Sequence, residues 1–148
     1  MTLYFNEKYK TGIKELDREH QVLIATLNAI YYSLVDDLET TKNHLNLFLR
    51  MMESHFRHEE KILEKSNHPD KGTHAKEHEK LEMELGEIVK TLDSISSTTE
   101  FKRIIDRLGT WLVPHILEWD TKINLENHAT SSHAPHSSMK REARPDIA

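Results

Sequence analysis

The stretch "IKELDREHQVLIATLNAIYYSLVD" (residues 13–36) decides how the chain is read. Leu16, Leu23, Leu27, Tyr31 and Leu34 recur three or four residues apart, the spacing that puts side chains on one face of a helix. His20 stands on that same stripe. An imidazole among aliphatic side chains needs a polar partner, so the question is what the other helices bring to meet it.

Three further stretches carry the same periodicity. Residues 41–65 run through Leu45, Phe48, Met52, His55 or Phe56, Glu59 and Ile62. Residues 71–95 carry His74, His78, Leu81, Leu85, Ile88 and Leu92, and residues 100–125 carry Ile104, Leu108, Trp111, Leu112, His115 and Trp119. "DDLETT" separates the first pair, and "SNHPDKG" supplies the proline and glycine of a second turn. Ser97, with Glu100 three residues later, is a capping-box start for the last helix. Strand signals are absent. Long helices joined by short connections predict an all-α, antiparallel up-down four-helix bundle over residues 1–126. Residues 127–148 are polar and aperiodic, and are expected to form a flexible tail.

Composition narrows the function classes. The 148 residues suit one domain, and a net charge of −5 argues against a nucleic-acid binder, which needs a basic stripe. The chain has no cysteine, which excludes disulfides, thiolate metal sites and cysteine nucleophiles, and fits a reducing compartment. Neither an apolar leader nor a run long enough to span a membrane is present, so a cytoplasmic, monomeric protein is expected. Eleven histidines against four glycines is the unusual ratio, and their positions decide its meaning.

His55 and Glu59 are an i, i+4 pair, and so are His74 and His78, so each pair can aim at one point. His115 and Asp120 come from the last helix. A lone histidine on an apolar stripe is more often a satisfied core residue than a ligand, and a single His-x3-His is commonplace. Convergence changes that weighing, because five histidines and two carboxylates fall on the inward faces of four helices. A buried Glu59 also needs a cation or a proton to be tolerated. Seven ligands are too many for one tetrahedral zinc, and five imidazoles do not suit calcium or magnesium. Two octahedral transition ions fit, and imidazole with carboxylate suits iron. If both carboxylates and one solvent oxygen bridge the two ions, a single coordination position stays open. Two assignments have rivals: His58 stands three residues from His55, without a carboxylate four residues on, and Glu118 competes with Asp120. His44, His68, His128, His133 and His136 are read as solvated. The i, i+5 spacing of His115 and Asp120 points them about 140° apart on a regular helix. Together with Pro114, it predicts an irregular, π-type turn between Thr110 and Asp120.

These residues resemble the hemerythrin family, specifically its single-domain bacterial members. "GIKELDREH" ends on the first ligand, "HFRHE" and "HAKEH" hold the two pairs, and "WLVPHILEWD" matches the family's Trp-Leu-x2-His-x4-Asp. The likeness covers roughly residues 5–125. Phe5, where the family has tryptophan, and His68-Pro69-Asp70, where it has Tyr-Pro-Asp, depart from the pattern. The resemblance implies a non-heme di-iron centre that binds O2 reversibly, for storage, delivery to an oxygen-using enzyme, or sensing, and no enzymatic activity. It implies that His74, His78 and His115 hold one iron, that His20 and His55 hold the other, and that Glu59, Asp120 and a solvent oxygen bridge them. Leu23, Phe56, Trp111, Leu112 and Ile116 then correspond to the apolar O2 pocket. Di-iron oxidases use carboxylate-rich sites, whereas imidazoles dominate here, which favours the carrier. Action on nitric oxide or peroxide, or in iron-centre repair, is the alternative.

Overall fold

A computed structural model describes residues 3–34 and 37–123. The predicted tail, with His128, His133 and His136, lies outside them. Four helices account for most of the described chain: α1 (Lys14–Ser33), α2 (Leu38–Lys65), α3 (Lys71–Thr91) and α4 (Thr98–Glu118). No strand occurs among the described residues. Only residues 34–37 join α1 to α2. Four residues reach at most about 14 Å, too short to carry the chain back along a helix of about 30 Å. The connections over residues 66–70 and 92–97 are likewise shorter in reach than the helices they join, so consecutive helices are antiparallel.

Local chemistry sets the boundaries. Gly12, at φ 87, makes a turn that residues with a Cβ resist, and the Asp17 carboxylate then accepts the Thr11 N–H at 2.7 Å and its hydroxyl at 2.9 Å. Asp37 caps α2 by accepting the Thr40 N–H at 2.7 Å, so this helix begins three residues before the predicted start. Asn67, at φ 51, ends the run after α2, as a left-handed position that asparagine tolerates. Ser97 accepts the Glu100 N–H at 3.2 Å, the cap expected for α4.

The main core fills the middle of the bundle with Leu27, Ile30, Leu45, Phe48, Leu85, Ile105 and Leu108, among others. Some stripe positions shift by one residue: Ile30, Leu63 and Ile105 are buried, where Tyr31, Ile62 and Ile104 were expected and are only partly so. A second, small apolar cluster joins Leu16, Leu63 and Ile123, all fully buried. Leu16 lies one turn before His20, and Leu63 one turn after Glu59. The polar residues between these clusters thus have apolar packing on both sides.

The last helix departs from the prediction. It does not reach residue 125, and no π-type turn forms. α4 continues as regular helix through Pro114 and stops at Glu118, and Trp119 (φ −113, ψ −55) leads into a 3₁₀ turn over Asp120–Ile123. The irregularity tightens the chain instead of widening it. Its change of direction at Trp119 carries Asp120 inward, fully buried, while Glu118 is exposed.

Candidate metal centre

In an antiparallel bundle the start of α1, the end of α2, the start of α3 and the end of α4 meet at one end. His20, the pair His55 and Glu59, the pair His74 and His78, and His115 occupy those four places, and the 3₁₀ turn adds Asp120. The structure brings all seven together, each at most 3% exposed. They form two groups: His74, His78 and His115, and His20 with His55, both groups sharing Glu59 and Asp120.

Each carboxylate turns one oxygen to each group. Glu59 Oε1 lies 3.1 Å from His78 Nε2 and 3.7 Å from His74 Nε2. Its Oε2 lies 3.3 Å from His55 Nε2 and 3.7 Å from His20 Nε2. Asp120 Oδ1 is 2.9 Å from His115 Nε2 and 3.1 Å from His74 Nε2, and its Oδ2 is 3.0 Å from His20 Nε2. His20 Nε2 and His55 Nε2 stand 3.0 Å apart. Donors about 2.1 Å from one ion and at right angles sit about 3 Å from each other, against about 3.4 Å in a tetrahedron. Several of these spacings match adjacent corners of a six-coordinate sphere.

Electrostatics point the same way. Burial pushes the Glu59 carboxyl up, and the Asp120 charge adds to this, yet the surrounding imidazoles hold it well below the usual carboxylate range. Asp120 is likewise pushed up by burial and held well below that range by His115, His20 and His55. Burial alone would lower His20, His55 and His74. Glu59 and Asp120, joined by Glu19 at His55, reverse this, raising His20, taking His55 well above its ordinary value and bringing His74 to about 9. Protons on imidazoles thus stand in for a cation beside two buried carboxylates. Even so, both oxygens of Glu59 and of Asp120, and Nε2 of His74, His78 and His115, are buried without hydrogen-bond partners. Donors of this kind, converging in two sets, fit a pair of metal ions, whose binding would displace those protons.

Phe56 walls the centre, stacked on His78 with ring centroids 4.2 Å apart and set edge-on to His115 at 5.9 Å. Leu23, Leu112 and Ile116 are buried in the main core, and Trp111 is partly buried against it. A largely apolar cleft of about 270 Å³ opens between α1 and α2 beside the two-histidine group, with Leu23, Ser54, Met51 and His55 in its lining.

Several residues were missed or misplaced by the sequence reading. Glu19 accepts from His55 Nδ1 at 2.7 Å, and Glu60 accepts from His78 Nδ1 at 2.7 Å. These are cross-helix pairs, invisible to the periodicity of any one helix. His58 is not among the converging residues; its Nδ1 donates to Glu19 at 2.6 Å. His44 is exposed as expected, whereas His68 is not solvated. His68 is 5% exposed, its Nε2 donates to the Lys122 carbonyl at 3.2 Å, and its Nδ1 accepts the Asp70 N–H at 3.1 Å. That bond ties the α2–α3 connection to the turn that carries Asp120.

No helix among the described residues is long and apolar enough to cross a membrane. No curated protein matches the chain. The family model of the hemerythrin HHE cation-binding domain matches residues 11–124, a span that holds all seven converging residues and every helix of the bundle. On that match and that cluster, the chain belongs to the hemerythrin family and is a metal-binding protein of hemerythrin type.

Proposed function

We propose that the chain binds O2 reversibly at a centre of two iron ions, as a store, carrier or sensor of oxygen and not as an enzyme. The observation that carries this reading is the unequal division of histidines. Three imidazoles serve one half and two the other, with both carboxylates shared, so the half with fewer protein donors adjoins the cleft beside His55. Iron suits a mixed imidazole and carboxylate set. Two ferrous ions would supply the electrons that O2 takes on binding and recover them on its release.

The chain's own residues keep such an exchange reversible. Phe56 packs on His78 and His115, Leu23 lines the cleft beside His55, Leu112 and Ile116 are buried in the apolar core, and the cluster of Leu16, Leu63 and Ile123 closes the bundle end. Excluding water this way slows the loss of bound oxygen in a reduced form. Five neutral imidazoles against two carboxylates give little support to high-valent iron, which disfavours oxygenase chemistry. The test is ferrous protein exposed to O2 and then deoxygenated, with absorption spectra throughout. A visible band that appears with O2 and vanishes on its removal, over repeated cycles, is the expected result. Irreversible oxidation in the first cycle, or steady consumption of O2 with a reductant, would refute the carrier.

A further inference from the structure

The outer nitrogens of the converging histidines are not held alike. In the two-histidine half, His20 Nδ1 is buried without a partner, whereas His55 Nδ1 donates to Glu19. In the other half, His78 Nδ1 donates to Glu60, which Arg57 approaches at 3.2 Å, while His115 Nδ1 lies 3.9 Å from Glu77. Among the described residues, His55 in one half and His78 in the other are thus clamped by a carboxylate at hydrogen-bond distance.

Glu19 is held from two sides. One oxygen takes the His55 N–H at 2.7 Å and the other the His58 N–H at 2.6 Å. A proton fixed on His55 Nδ1 leaves the Nε2 lone pair facing inward, where a metal needs it. We propose that Glu19 is the positioning residue that sets the metal affinity of the two-histidine half separately from the other half, with His58 holding Glu19 in place. Glu60 acts in the same way on the three-histidine half. This rests on the two-metal reading above.

The test is anaerobic titration of the metal-free full chain with ferrous ion against a chromogenic chelator. Glu19→Ala should leave one site unchanged and weaken the other about 10- to 100-fold, the usual cost of losing a partner behind a metal ligand. His58→Ala should weaken the same site by less. A His20→Ala background, which removes the two-histidine site, shows which half responds. There Glu60→Ala should weaken the remaining site, and Glu19→Ala should not. Wild-type affinity at both sites in Glu19→Ala, equal weakening of both, or a Glu19→Ala effect in the His20→Ala background would overturn the proposal. A wild-type chain that holds fewer than two irons would instead overturn the two-metal reading beneath it. Melting curves of the metal-free variants, each showing a cooperative transition above the titration temperature, check that each is folded.

Discussion

Glu59→Gln keeps the size of the side chain and removes its charge. Its two oxygens face four imidazole nitrogens at 3.1 to 3.7 Å. A glutamine has one oxygen to offer, so whichever way the amide turns, its NH2 group faces two histidines of one half. That half loses a donor, and the bridge is gone. In the metal-free chain the imidazoles lose a buried anionic partner. Breaking a buried ion pair costs about 3–5 kcal/mol, and we expect the lower end because the histidines can release their protons. In the loaded chain each site adds about 2.7 kcal/mol when free metal is 100-fold above its Kd. Losing one site should therefore roughly halve the stabilisation by metal. At roughly 3–5 °C per kcal/mol for a domain of this size, each effect is on the order of 10 °C in Tm. The assay is thermal melting at neutral pH, with and without metal, beside the metal retained after desalting. The pH matters: the Glu59 carboxyl is depressed, so its contribution is present above 4.5 and fades as pH falls below that. Two retained metals with an unchanged Tm difference would refute the bridging role.

Three further outcomes follow from the same geometry. Because His20, His55 and His74 are raised, the stability they contribute to the metal-free chain is full below about 6.5 and lost as pH rises through their folded values, about 9 for His74. Metal-free protein should thus lose Tm between pH 6.5 and 9 while loaded protein does not, and metal uptake at pH 7 should release protons measurable in weak buffer. Phe56→Ala removes a fully buried ring that stacks on His78, and should cost about 3–5 kcal/mol in urea unfolding while hastening oxidation of the ferrous protein by O2. Ser54→Phe narrows the cleft beside His55 from its exposed rim, and should slow O2 binding and release together in stopped-flow, leaving the affinity nearly unchanged.

The four stripes and six of the seven converging residues were legible because a period of 3.6 marks which residues point inward, and polar residues on such a face stand out. His55 and Glu59, or His74 and His78, read as pairs from spacing alone. Asp120 did not, since its position depends on where α4 stops. That end is set by the backbone of Trp119, and the turn after it is held by the contact from His68 to the Lys122 carbonyl, 54 residues apart in sequence. Glu19 and Glu60 sit beside ligands in the chain but act on histidines of a neighbouring helix. Such partners emerge only when the helices pack.

The most direct test of the central claim is anomalous diffraction at the iron edge from crystals of the iron-loaded chain. Two peaks about 3.5–4 Å apart, a common spacing in two-metal sites, are expected within the cluster. One should be ligated by His74, His78 and His115, the other by His20 and His55, with Glu59 and Asp120 reaching both. A single peak, or two peaks with either carboxylate bound to only one ion, would contradict the account.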